Sequence, residues 1–172
     1  MRSQPFAPAA LGLTLAVLCT LTFAAAAAAA PFRLEKRLPL AAGGSFALSS
    51  EAGGVEVRGG DVAEAQILVT SNRDDFAELY DVRFATPRPD RIEVVIEKKS
   101  RGPAGWFGGG SGRTEVQVTL PKGVSAEIES SGGGIDIADL DGKVTAESSG
   151  GSVMVRNLGG AARLSSSGGS ID

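Results

Sequence analysis

Three aspartates, Asp136, Asp139 and Asp141, fall within the stretch IDIADLDG. Carboxylate oxygens at such spacing suit Ca²⁺, and calcium-binding β-rolls use glycine-aspartate repeats that renew the aspartate on every coil. Eighteen residues further on, however, Asp136 is replaced by Met154 and Asp139 by Asn157, so no aspartate row is maintained. The three side chains read as solvated turn carboxylates, and no metal or other cofactor is expected. A second carboxylate pair, Asp136 and Asp172, would face outward in one column at about 9.6 Å if two strand spacings separate them. That distance resembles the acid and base separation of inverting glycosidases. Met154 stands between the two, and no aromatic platform for sugar stacking accompanies them. Serines are plentiful, but the chain has no histidine, so the usual base is missing. A Ser-Lys pair would need Lys122 or Lys143 buried beside a serine. No catalytic residue is assigned, and the chain is expected not to be an enzyme.

Two other places invite attention. Trp106 and Phe107 lie inside SRGPAGWFGGGSG, Ser100 to Gly112, where two large aromatics on a glycine-rich loop offer a tip for docking into a partner or a membrane interface. The competing reading folds them back over an exposed sheet, since Trp106 is the single tryptophan. Ser170, Ile171 and Asp172 form the second place, for a reason that emerges from the repeats.

The first thirty residues stand apart. Arg2 is their only charge, Leu11 to Phe23 form an apolar run, and Ala24 to Ala30 supply small residues. This is the pattern of a secretory signal peptide over 1–30. Cys19 follows Leu18, a poor lipid-attachment context, so it reads as part of the apolar run. Its removal would leave no cysteine, hence no disulfide or thiol chemistry. Of the 17 basic residues all but Arg2 lie beyond residue 30, against 20 acidic ones. They are scattered, without an aromatic row, which excludes a nucleic-acid surface. The expected location is outside the cytoplasm, periplasmic or at the cell surface of a bacterium.

Residues 31–172 suffice for one domain. Apolar residues alternate with polar ones in Phe46/Leu48, Val55/Val57, Ile67/Val69, Ile92/Val94/Ile96 and Val116/Val118/Leu120. This is strand patterning. Asp74 to Tyr80 is the best helical candidate and is too short to persuade, so the class is all-β. TPRPD, Thr86 to Asp90, reads as a turn. Arg91 to Lys99 and Arg113 to Leu120 match in length and read as a hairpin with the glycine-rich loop 100–112 as its tip.

From Lys122 the chain repeats every eighteen residues. Ala126 falls on Val144 and Ala162, Ile128 on Ala146 and Leu164, and Ile135 on Val153 and Ile171. The turns repeat too, with Gly132-Gly133 over Gly150-Gly151 over Gly168-Gly169. A fixed period of this length marks a solenoid whose repeats each add one coil. The expected architecture is a β-helix-like, two-sheet solenoid, with a degenerate early coil at Phe46 to Gly60 and longer strands over one end or side. Glycine is expected at the corners because the chain reverses there in conformations a Cβ resists. The preceding serines are expected to bond turn backbone. Ser170 to Asp172 then leave a short, incomplete rung with unpaired backbone groups, open to self-association or to a partner's strand.

GGVEVRGGD at Gly53 to Asp61, VQVTLP at Val116 to Pro121, and SSGGGIDIADLDGKVTAESSGGSVMVRNLGGAARLSSSGGSID from Ser130 onward together resemble the bacterial putative adhesin family, also described as the toastrack domain. The resemblance covers essentially all of the chain beyond residue 30. It implies a β-helix-like or two-sheet solenoid found in envelope proteins, linked in some members to envelope stress, with no agreed enzymatic activity. Members usually continue past the third rung. The functional expectation is a non-catalytic, exported structural or interaction module. Its alternatives are a carbohydrate-binding or carbohydrate-active β-helix and an envelope-stress sensing component.

Overall fold

The computed structural model describes residues 32–99 and 112–172. The signal-peptide reading of 1–30 and the reading of Trp106 and Phe107 therefore lie outside the described residues. Twelve strands and one helical turn follow in order: β1 (Phe32–Pro39), β2 (Ser45–Ser50), β3 (Gly54–Gly60), β4 (Glu64–Ser71), α1 (Phe76–Leu79), β5 (Tyr80–Arg88), β6 (Arg91–Lys98), β7 (Thr114–Pro121), β8 (Ser125–Ser130), β9 (Ile135–Ala138), β10 (Val144–Ser148), β11 (Val153–Arg156) and β12 (Ala162–Ser166). They form two six-stranded sheets, β1-β4-β7-β3-β9-β11 and β12-β10-β8-β2-β6-β5.

The eighteen-residue offset is the strand register itself. Val144 pairs with Ala126 on one side and Ala162 on the other, and Val153 pairs with Ile135, all in parallel. Alternation puts one apolar set inward from each sheet, and Phe46, Val57, Ile128, Ile137 and Leu140 are essentially without solvent exposure in one continuous core. The early unit β2–β3 matches this pattern, pairing Leu48 with Ile128 and Val55 with Ile135. It lies at the centre of both sheets, because β6 and β7 join its other flank in parallel.

That placement corrects the expected hairpin. β6 and β7 belong to different sheets and do not pair with each other. Ile96 aligns with Ser50 and Val116 with Val55, so the strands β6 and β7 repeat the placement of β2 and β3. The true hairpin is β5–β6, antiparallel, with a register irregularity between Ala85 and Arg88. Strand β5 thus runs through Thr86 and Pro87, which sequence reading gave to a turn. Matching lengths misled because two strands of one rung are as alike in length as two strands of a hairpin.

Three other departures are physical. The segment Asp74 to Tyr80 does hold one helical turn, and its Phe76 is fully buried, packing between Phe32 and Tyr80 at ring distances of 4.4 and 5.0 Å. These rings link the edge strands β1 and β5 of the two sheets through α1. Strand β1 closes the first sheet antiparallel to β4, although its charged residues hide its alternation. Finally, the left-handed backbone expected at the glycine corners is absent from Gly132, Gly133, Gly150, Gly151, Gly168 and Gly169. Among described glycines only Gly43 and Gly53 have positive φ. Close approach explains the second glycine of each pair instead: a Cβ on Gly133 would stand 2.2 Å from the Gly53 carbonyl oxygen, and one on Gly151 2.3 Å from Gly134 N. At the opposite corner the left-handed positions are filled by Asp139 and Asn157, residue types that tolerate this region better than most.

Candidate functional site

Residues that could do chemistry gather on the outer face of the first sheet. Glu56, Asp136 and Met154 share a column across β3, β9 and β11, while Arg58 and Arg156 occupy the next column. The charges satisfy one another. Arg58 Nε donates to Glu56 Oε1 at 2.9 Å and its Nη1 lies 3.6 Å from Asp136 Oδ1. Arg156 Nη2 donates to both Asp136 oxygens, at 3.0 and 2.8 Å. The Asp139 carboxylate instead accepts from Asn157 Nδ2 at 2.6 Å. Asp136 and Asp139 thus point to different partners, and among the described residues no group of three or more metal-ligating side chains converges. Asp172 does lie in the Asp136 column, since Ile171 bridges to Val153. Met154 stands between them, and Arg156 clasps Asp136.

A groove of about 850 Å³ opens along this face, bounded by the corner backbone of Gly53, Gly133 and Gly134 and by Glu56, Arg113 and Met154. The corner itself is held by serine hydroxyls, buried at Ser148 and half-buried at Ser166. Ser148 Oγ accepts from Gly151 N–H at 2.9 Å and donates to the Gly133 carbonyl of the preceding rung at 3.0 Å. Ser166 repeats this with Gly169 and Gly151. Each hydroxyl closes its own turn and ties it to the rung before. Among the described residues no buried side-chain polar atom lacks a partner. Ser148 and Ser166 are thus engaged in holding the corners.

The two ends of the stack differ. At the end formed by β1 and β5, charges and irregularities guard both edges. Lys36 pairs with the buried Ile67, in the same inward row as Leu34 and Leu38, yet is itself exposed. On β1 the outward Glu35 is flanked by Arg33 and Arg37. Hydrogen bonds from Arg37 and then Arg33 hold its carboxyl below the usual range. Strand β5 carries Pro87 and the register irregularity. Inward charge, proline and bulges are devices that stop a sheet edge from recruiting another strand.

The other end, where β12 carries the exposed Arg163, shows no inward charge, proline or register irregularity among the described residues. Ala161 C=O accepts from Val144 N–H and Ser167 N–H donates to Ser148 C=O, both at 2.9 Å. Alternate residues of a strand face a given neighbour, so Arg163 and Ser165 are turned to β10. The N–H and C=O of Ala162, Leu164 and Ser166 are turned away, and among the described residues no strand covers them. In the first sheet Ser170 C=O, Asp172 N–H and Asp172 C=O engage β11, which leaves the Ile171 backbone outward. Side chains follow suit: Ile171 is 47% exposed, and Leu158 and Leu164 are half-buried against the core. Sequence reading placed Ser170, Ile171 and Asp172 at this edge. It missed Leu164, which the eighteen-residue alignment marks as the last of the Ile128 row, and it missed the guarding by Lys36.

No helix among the described residues is long and apolar enough to cross a membrane. No family model matches the chain, and no curated protein matches it. Among solved structures the chain is similar to a putative cell adhesion protein from Clostridium sporogenes, at 8% identity and a TM-score of 0.49, over 81% of this chain and 98% of that one. It is also similar to a putative lipid binding protein from Parabacteroides distasonis, at 13% identity and a TM-score of 0.38, over 81% and 68% of the two chains. A putative adhesin from Bacteroides fragilis follows at 10% identity and a TM-score of 0.30, over 81% and 96%. Likenesses at this level leave the site to be read from its own geometry.

Proposed function

We propose that this chain is a non-catalytic interaction module of the bacterial envelope, exported by its N-terminal segment, in which stacked rungs form an open-ended β-solenoid. Its working surface is the edge formed by β12 and Ile171, which takes up a partner's strand by β-augmentation. The observation that carries this reading is the contrast between the two ends. An exposed edge is a liability a sequence normally suppresses; among the described residues inward charge, proline and a register irregularity stand at β1 and β5, whereas the outward groups of β12 meet no strand. The free backbone groups of Ala162, Leu164 and Ser166 supply affinity, and the apolar row ending in Leu164 and Ile171 supplies register.

A labelled peptide of residues 161–172, AARLSSSGGSID, tests the edge directly by fluorescence anisotropy. Saturable binding to the purified protein is expected, because the peptide repeats the strand that β10 already accepts. Ala162→Pro removes one outward N–H without touching a group bonded to β10, and it should weaken binding while leaving the fold intact. Equal binding by the wild type and this variant, or none by either, removes the edge as the recognition surface.

A further inference from the structure

Sulfur occurs at three positions in the chain, Met1, Cys19 and Met154, so Met154 is the only sulfur among the described residues. It stands on the outer face of β11, 39% exposed, and it borders the groove over the glycine corner. Asp136 flanks it on β9, and Asp172 flanks it on its other side, next to the Ile171 bridge to Val153. The thioether therefore meets solvent through the front of the sheet, in a column otherwise made of Gln117, Glu56, Asp136 and Asp172. Its inward neighbour Val153 is the residue of this rung that fills the core.

We propose that Met154 is a reversible oxidation site, converted to the sulfoxide by a two-electron oxidant such as hydrogen peroxide and held in that form by Arg156. In the step a sulfur lone pair attacks one peroxide oxygen. The S–O bond forms as the O–O bond breaks, and the second oxygen leaves as hydroxide, which takes the proton of the transferred oxygen to give water. Sulfur loses two electrons and the peroxide gains them. The oxidant has only to reach the sulfur, and the open groove admits a molecule of that size. The product is received by what stands beside it. Arg156 lies two residues along β11 on the same face, about 6.6 Å away between Cα atoms, and both side chains are long enough to meet. A guanidinium carries five N–H donors, of which Asp136 engages only those on Nη2. Nε and Nη1 have no partner among the described residues, so they can donate to the sulfoxide oxygen without releasing Asp136. The sulfoxide thereby joins the row of charges that runs through Glu56, Arg58, Asp136 and Arg156. A thioether is a weak acceptor, which makes Arg156 a partner of the oxidised form. Oxidation turns this wall of the groove from apolar to polar, and the core is left as it was. The site lies in the other sheet from β12 and stands whether or not that edge binds a strand.

Treatment of the full chain with hydrogen peroxide, followed by peptide mapping, gives the first test. Met154 should gain one oxygen, about 16 Da, at about a third to a half of the rate of methionine in a short peptide, in step with its exposure. It should be the first residue beyond position 30 to do so, and Met154→Leu should leave that region unmodified at the same dose. Because the side chain faces outward, the midpoint temperature of the oxidised protein should stay within about 2 °C of the reduced one. The nitrogen-15 resonances of the Arg156 guanidinium should shift on oxidation of the wild type and stay in place in Met154→Leu. Met154→Gln, whose amide oxygen imitates the sulfoxide, should move the same resonances without oxidant. A methionine sulfoxide reductase should restore both mass and resonances. Oxidation about tenfold slower than in the short peptide, or earlier at another residue beyond position 30, would overturn the site. A midpoint lowered by about 5 °C or more would show the thioether to be structural and overturn it equally. Unmoved Arg156 resonances, or a modification that the reductase leaves in place, would overturn the reversible sulfoxide held by the guanidinium.

Discussion

Alanine placed at each member of one glycine pair separates two explanations of the corners. At Gly133 an added Cβ would lie 2.2 Å from Gly53 O and 2.4 Å from Gly53 C, atoms of the neighbouring rung's backbone that no rotamer change can move. Ordinary contact needs about 3.4 Å or more, so β9 and β3 must separate locally by about 1 Å out of a strand spacing of about 4.8 Å. The adjacent Val55 N–H bond to Gly134 C=O, 2.9 Å long, would stretch beyond useful range. Overpacking against a rigid neighbour costs about 1–3 kcal/mol, and loss of the backbone bond adds about 1 kcal/mol. Gly133→Ala should therefore lose about 3 kcal/mol. At Gly132 the nearest atom to the same Cβ is Glu51 O at 3.6 Å, and the backbone is not left-handed. Gly132→Ala should be neutral, or gain about 0.5 kcal/mol by restricting the unfolded chain. Urea unfolding followed by far-ultraviolet circular dichroism gives the difference directly, and the midpoint temperatures should differ by about 6–12 °C. Two variants within about 1 kcal/mol of each other would refute rung packing as the reason for glycine at the second position.

Other perturbations read other parts of the stack. Ser148→Ala strands the Gly151 N–H and removes a donor from Gly133 C=O in a site without solvent, so a loss of about 2 kcal/mol in urea unfolding is expected; Ser166→Ala, near the exposed edge, should lose less than half of that. Glu129 and Glu147 are direct neighbours on β8 and β10, and Glu147→Lys should add about 0.5–1 kcal/mol at low salt, with the gain shrinking as salt rises. Lys36→Val removes the inward charge from β1 and should let light scattering detect increased association at high concentration. Glu35 should titrate below the usual carboxylate range when followed by nuclear magnetic resonance, and Arg37→Ala should move it back up because that guanidinium is its strongest partner. This lowered carboxyl favours the folded state above the carboxylate's unfolded pKa, and the contribution disappears as pH falls through the folded value.

The eighteen-residue phrase determined by itself that Ala126, Val144 and Ala162 share one row and Ile135, Val153 and Ile171 another, because period-two alternation inside a fixed repeat admits a single in-register stacking. Corner position was equally legible in the glycine and serine pairs, since short polar residues at a constant interval have to mark where the chain turns. The reason for glycine at Gly133 was not legible, because it depends on the distance to Gly53, eighty residues away in the chain. Nor did the sequence reveal where β6 and β7 belong. Their alternation specifies strands and inward faces but not partners, and only the tertiary structure decided that β2–β3 lies between them and β8–β9. The functional face divides along the same line. Ser170 to Asp172 could be aligned with the earlier repeats from local pattern, whereas Lys36, Pro87 and the β5 irregularity acquire their meaning only once β1 and β5 are seen to be edges of the two sheets. Local sequence sets which way a side chain faces; which edge is left without a neighbour is a property of the assembled sheets.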